Sequence, residues 1–188
     1  MIELRSSVDI DYSPLANFLS DRQWRLADEE TERVMQLVLN KLGRRTFLDR
    51  QSQKILFPQI DLQTIDRLWI HHSHGRFGFS IQQLEAAKAS STVLTDSFGN
   101  SYHQSVGQRL GWLYLNTGNI SGPMRMEGYR DYNHLIFSLD APVGHLPVRV
   151  LWDIGSEFLC IDGERDRDYA TAHAMDGLML MSALFENP

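Results

Sequence analysis

A chain of 188 residues, 43% of them apolar and 22% charged, has the size and balance of a single water-soluble domain with a real hydrophobic core. Its net charge of −6 speaks against non-specific binding to nucleic acid or to an anionic membrane. One cysteine, Cys160, excludes an internal disulfide framework and a cysteine-built zinc cage.

The first residues, MIELRSSVDIDY, carry no apolar signal core, and no apolar run approaches the ~20 residues of a membrane helix. The expectation is a cytoplasmic protein with no integral membrane segment. Residues 1–11 read as a short arm. Ser13-Pro14 offers an N-cap followed by proline at the first helical position, and Leu15, Phe18 and Leu19 give that first helix its inner face.

A long second helix is expected from Arg22 or Trp24 to Leu42. Trp24, Ala27, Val34, Met35 and Val38 form its apolar stripe, with Thr31 as the polar interruption. Asp28, Glu29, Glu30 and Glu32 crowd its first half, while Lys41, Arg44 and Arg45 follow its end, an order that complements the helix dipole. The acidic group reads as a solvated face rather than a metal site. Gly43 stops the helix. The link over residues 44–58 holds Phe47, Leu48, Ile55, Leu56 and Phe57 among charged residues. Phe47 and Leu48, just after two arginines, either cover the core or form the lip of an apolar site for an acidic ligand.

Residues 61–83, DLQTIDRLWIHHSHGRFGFSIQQ, read as a complete helix–turn–helix unit. Asp61 is the expected N-cap. Leu62, Ile65, Leu68 and Trp69 recur at helical spacing. Gly75 ends the helix in a left-handed conformation, and Ser80 caps a second helix with Ile81 and Leu84 facing inward.

A further helix is expected over residues 101–110, stopped by Gly111. A mobile loop is expected over residues 120–130, with Tyr129, Tyr132, Leu135, Ile136 and Phe137 concentrating apolar area behind it. Pro142 and Pro147 forbid a continuous helix through residues 139–147. Residues 148–161 fit either a short strand or a helix, and a last helix spans about residues 169–185.

Enzyme signatures are lacking. His71, His72 and His74 have no HExxH pattern around them, and no carboxylate or cysteine stands locally to complete a site. Gly75-Arg76-Phe77-Gly78 has neither the GK[ST] ending of a P-loop nor the GxGxxG spacing of a dinucleotide turn. Cys160 reads as a structural thiol. No catalytic residue and no metal ligand is assigned.

Several stretches together resemble the GUN4 family, porphyrin-binding regulators of magnesium chelatase. Residues 11–32, DYSPLANFLSDRQWRLADEETE, are similar to its short helix followed by a W/F-x-x-A-D-x-x-T helix. Phe57-Pro58 with residues 61–82 is the most specific match. Arg109-Leu110-Gly111-Trp112, residues 137–142 (FSLDAP) and residues 144–147 (GHLP) complete it. The resemblance covers residues 12–147. It leaves residues 148–188 as a divergent segment ending in a helix packed on the core.

The resemblance implies an all-α core shaped like a cupped hand, with long loops and room for a short hairpin. It implies non-covalent binding of a tetrapyrrole, protoporphyrin IX or Mg-protoporphyrin IX. It also implies a partnership with the large porphyrin-binding subunit of magnesium chelatase, no enzymatic activity, and peripheral contact with membranes. The pocket loops map onto residues 44–55 and 118–135. Phe47, Leu48, Tyr129, Tyr132 and Leu135 are then the walls for the macrocycle, and Arg45 and Arg149 the rim cations for its propionates. The family's arginine pair after GHLP falls on Asp153 and Ser156 here, which opens two alternatives: a paralogue that binds a bilin, or a protein-interaction module whose tail, with Met175 and Met179, docks a partner. An enzyme using a histidine on a tetrapyrrole is a third.

Overall fold

The computed structural model describes residues 2–45, 47–49, 54–55, 57–90, 100–113, 129–151 and 177–178. Helix α2, Trp24–Lys41, forms where the apolar stripe is longest, and it buries Trp24, Ala27, Val34, Met35, Val38 and Leu39 along one side. Gly43, at φ 70°, ends it in the left-handed region. Helix α1, Ser13–Ser20, packs on both α2 and α3, Gln59–His72. It starts one residue earlier than its proline suggested. The Asp11 carboxylate accepts from the Ser13 amide at 2.9 Å, so Ser13 begins the helix and does not cap it.

Between α2 and α3 lies a minimal ladder, β1, Leu48–Asp49, antiparallel to β2, Lys54–Ile55, with Leu48 opposite Ile55 and Asp49 opposite Lys54. This is the short hairpin for which the all-α expectation left room. Helix α4, Phe79–Ser90, follows α3 and packs on α5, Asn100–Arg109. A 3-10 turn, Tyr132–His134, interrupts the last long described stretch, which turns helical again at residues 149–151.

The turn from α3 to α4 is the centre of the fold. Ser73 is buried, and its hydroxyl accepts from the Phe77 amide at 2.8 Å. Gly78, at φ 139°, takes a conformation that favours glycine; an added Cβ would meet the Asp66 carboxylate at 2.9 Å and Ile70 at 3.0 Å. That close approach lets Asp66 of α3 accept from the Ser80 amide at 3.0 Å, so the first turn of α4 is capped from α3 and not by Ser80 itself. The inward face of α4 also differs from expectation. Leu84 is 52% exposed, while Phe79, Gln82, Glu85, Ala86 and Ala89 are buried.

Residues 141–148 are stitched onto this turn. The Gly144 amide donates to the Arg76 carbonyl at 2.7 Å, the Gly78 amide to the Leu146 carbonyl at 3.0 Å, and the Gln82 side chain to the Pro147 carbonyl at 2.6 Å. His145 locks the same stretch to α5. It is fully buried; its Nδ1 meets the Leu110 carbonyl at 2.6 Å, and its Nε2 accepts from the Ile136 amide at 3.0 Å. Since the carbonyl can only accept, the proton sits on Nδ1 and the ring is neutral. The Trp112 indole donates to the His145 carbonyl at 2.9 Å.

The arm is fastened as well. Asp61 does not cap α3, which starts two residues earlier at Gln59 with Pro58 before it. Its buried carboxylate accepts instead from the Ser6 hydroxyl at 2.6 Å, the Ser7 amide at 3.0 Å, the Ser7 hydroxyl, and the Tyr12 hydroxyl at 2.8 Å. Burial pushes this carboxyl up, but the bonds from Ser6, Ser7 and Tyr12 outweigh it and hold it below the usual carboxylate value. Asp61→Ala is therefore expected to free the arm first. Hydrogen exchange should quicken at Ser7, Val8 and Ile10 while α4 keeps its protection. Unchanged exchange in the arm would show that Asp61 does not hold it.

Candidate functional site

Helix α2 and the segment 132–149 meet around one ring. The Arg149 guanidinium carbon lies 5.1 Å from the Tyr132 ring centre, and that of Arg25 lies 5.2 Å from it. Arg25 also stands 4.7 Å from the Phe137 ring, which meets Tyr132 edge-on at 5.3 Å. Two guanidinium groups and two aromatic rings thus share one patch, with cation–π attraction at each contact.

Beneath the patch is Asp28. It is completely buried, and its carboxylate accepts from the Val148 amide at 2.8 Å and, at longer range, from the Arg149 amide at 3.4 Å. Burial pushes its pKa up to about 6, against the lowering effects of the Val148 amide, the Tyr132 hydroxyl and Arg149. Burial, with Asp28 close by, raises the Tyr132 phenol well above its usual value. Asp28 is therefore no part of a solvated acidic face. Glu32 takes the Arg149 Nε, and Glu29 stands 4.0 Å from the same guanidinium. What this arrangement does is pin the end of the 132–149 segment to α2 by charge and by backbone hydrogen bonds.

Of the seven residues assigned from sequence, Tyr132 and Arg149 are brought into contact. Tyr132 and Leu135 keep only 8% and 7% of their surface open. Tyr129 is half-buried, pairs with Leu113 in an isolated antiparallel bridge, and lies over Gly107 of α5, where an added Cβ would come within 3.1 Å of its ring. Phe47 is fully buried with Phe57 at 6.2 Å, away from water at the base of α3. Leu48 lies in β1, and Arg45 is exposed just past the end of α2. The loop expected over residues 120–130 lies outside the described residues up to Gly128, as do Cys160, Met175 and Met179.

The sequence reading missed Arg25, Asp28, Glu32 and Phe137. A signal for Asp28 existed. It stands four residues after Trp24 and three before Thr31, on the apolar stripe itself. Arg25 carried no comparable mark, since its partners Tyr132 and Phe137 come from more than 100 residues away. No cluster of three or more histidine, cysteine or acidic side chains suited to a metal ion occurs among the described residues.

A helical domain in which a GHLP segment is stitched to a glycine-rich helix turn is an all-α tertiary class, and comparison with known proteins gives it a family. Residues 5–157 match the sequence model described as GUN4-like, and the chain belongs to that family. It is 40% identical over 73 residues to a tetrapyrrole-binding protein, chloroplastic, of Arabidopsis thaliana, covering 38% of this chain and 27% of that one. It is 32% identical over 146 residues to a Ycf53-like protein of Synechocystis, covering 77% of this chain and 54% of the relative. The chain thus spans about half or less of the length of these curated relatives. Among solved structures it resembles GUN4 from Chlamydomonas reinhardtii, with TM-score 0.56 and 21% identity over 92% of each chain. It also resembles ligand-free GUN4 of Arabidopsis thaliana, with TM-score 0.54 and 24% identity over 90% of this chain and 94% of the other. At these identities the structural likeness speaks for the fold.

Proposed function

We propose that this chain binds a tetrapyrrole non-covalently and, without catalysing a reaction itself, regulates tetrapyrrole synthesis. The observation that carries the reading is membership of the GUN4-like family over residues 5–157, with an Arabidopsis relative named for tetrapyrrole binding. Physical chemistry supports it. A planar macrocycle needs broad apolar walls, and its acid groups need cations at the edge. Leu48, Tyr129, Tyr132 and Leu135 are the proposed walls, and Arg45 and Arg149 the proposed rim cations, while Phe47, buried against Phe57, supports the wall from the core. Protoporphyrin IX, Mg-protoporphyrin IX and a bilin are the ligands to try.

Activation of magnesium chelatase through its large porphyrin-binding subunit belongs to the same proposal, as does a cytoplasmic location. No helix among the described residues is long and apolar enough to cross a membrane. The rival reading of a tail free to dock a partner finds less support. Gly177 and Leu178 are both buried, an added Cβ on Gly177 would collide with the Leu151 carbonyl, and the Gln83 side chain donates to the Leu178 carbonyl at 3.0 Å.

Titration with the three pigments is expected to quench tryptophan fluorescence saturably for at least one, with the pigment's absorbance unchanged on long incubation. A linear, non-saturating response to all three would remove the binding reading. An unchanged chelatase rate would remove only the partnership.

A further inference from the structure

At this patch the cation best placed to take an acid group of the ligand is not Arg149. Arg149 is already engaged. Glu32 holds its Nε, Glu29 lies 4.0 Å away, and its guanidinium rests on Tyr132. A ligand carboxylate would have to displace protein carboxylates to reach it.

Arg25 arrives at the same patch from the first turn of α2 and is differently partnered. Its Nη1 donates to the exposed Asn133 side-chain carbonyl at 3.2 Å. Among the described residues no carboxylate lies within ion-pair distance of it. Glu29, one helical turn on from Arg25, is directed to Arg149. The Arg25 guanidinium carbon lies over the Phe137 and Tyr132 rings, 4.7 Å and 5.2 Å from their centres. A bond to a neutral, exposed amide is readily exchanged for one to a carboxylate, which is charge-assisted and about twice as strong.

The helix dipole does not call for a cation here. Arg25 sits in the first turn of α2, where a positive charge runs against the helix dipole. Beside it the patch offers apolar edge. Phe137 is half-buried, and its neighbour Ile136 leaves 37% of its surface open. A half-exposed arginine fixed on aromatic rings, next to open apolar surface, suits a ligand that is apolar over its face and acidic at its margin.

We propose that Arg25 is a specificity-determining residue, the cation that selects a tetrapyrrole with free carboxylates over its neutral ester. The inference rests on the tetrapyrrole reading above. The experiment compares protoporphyrin IX with its dimethyl ester on wild type, Arg25→Ala, Arg25→Lys and, as a control for charge alone, Lys41→Ala at the far end of α2. Wild type and Lys41→Ala are expected to prefer the free acid by roughly tenfold, the size of one charge-assisted hydrogen bond at a half-exposed site. Arg25→Ala should lose most of that preference through weaker binding of the acid, with ester affinity held within about twofold. Arg25→Lys should keep part of it, because lysine retains the charge without the planar fork.

An undiminished acid preference in Arg25→Ala overturns the proposal. So does an equal loss for both ligands, which marks Arg25 as structural. Tight binding of both ligands by wild type with no preference overturns it while the tetrapyrrole reading stands. Binding of neither ligand, nor of any other tetrapyrrole, takes that reading down as well.

Discussion

Trp69→Ala is expected to remove a large part of this protein's stability. Trp69 is fully buried and sits between three core elements. It stacks on Trp24 of α2 with ring centres 6.2 Å apart, and it meets Phe77 of the turn edge-on at 6.4 Å. Its indole donates to the Thr31 hydroxyl at 2.9 Å, and that hydroxyl donates to the Ala27 carbonyl at 2.8 Å. Truncation removes the aromatic contacts, opens a cavity and leaves Thr31 without a buried donor. Substitutions of this kind cost roughly 3–5 kcal/mol, against a total stability of about 5–15 kcal/mol for a domain of this size. Trp69→Phe keeps most of the area and loses chiefly the hydrogen bond, for about 1–2 kcal/mol. Urea denaturation followed by near-UV circular dichroism orders the three proteins. An alanine variant with the wild-type midpoint would refute the placement of Trp69 at the centre.

The second large effect is a hidden pH dependence. Burial lowers the His145 pKa to about 4, reinforced by Arg130 and opposed by the Leu110 carbonyl that its ring bonds. The unfolded imidazole titrates near 6.5. Between those values the unfolded chain takes a proton that the folded ring refuses, so stability is full above pH ~6.5 and falls with acid by about 3 kcal/mol. Asp28 acts in the opposite sense. Its folded pKa is about 6 against an ordinary 3.8. Across that window the folded state holds the extra proton, and acid adds about 3 kcal/mol.

The two windows overlap, so in the wild type these contributions largely cancel. Removing one partner exposes the other. Asp28→Asn should lose stability steeply between about pH 6.5 and 4, and His145→Gln should hold or gain it over the same range. Asp61 and Glu85, both held below their usual values, lose their contributions at lower pH in all three proteins alike and drop out of the comparison. Parallel pH profiles of the urea midpoint for Asp28→Asn and wild type would contradict the account.

These residues also mark where reading the sequence succeeds and where it stops. The span of α2 was legible because its stripe repeats over 18 residues and a glycine follows its end. The turn at residues 73–78 was legible because glycine marks conformations that other residues take only under strain. The inward face of α4 was not. Periodicity favoured Leu84, yet the helix buries Gln82 and Glu85, each of which has a partner from elsewhere: the Pro147 carbonyl for Gln82, and Arg109 for Glu85, which Lys88 of α4 itself also meets. Asp61 suited an N-cap equally well, until the arm supplied hydroxyl donors from 49 to 55 residues away.

The sequence by itself determined the helical class, the helix spans to within two residues for α1 and α2 and three for α3, and the family, since those depend on local spacing and on short motifs. The tertiary structure alone decided which polar groups are interior and what each cation faces: Asp28 under Val148, His145 between Leu110 and Ile136, Arg149 against Glu32, and Arg25 on Phe137 and Tyr132. The reason is physical. An apolar side chain is driven inward by its own surface, whereas a polar one is buried only where a distant segment completes its hydrogen bonds, and no local pattern records that partner.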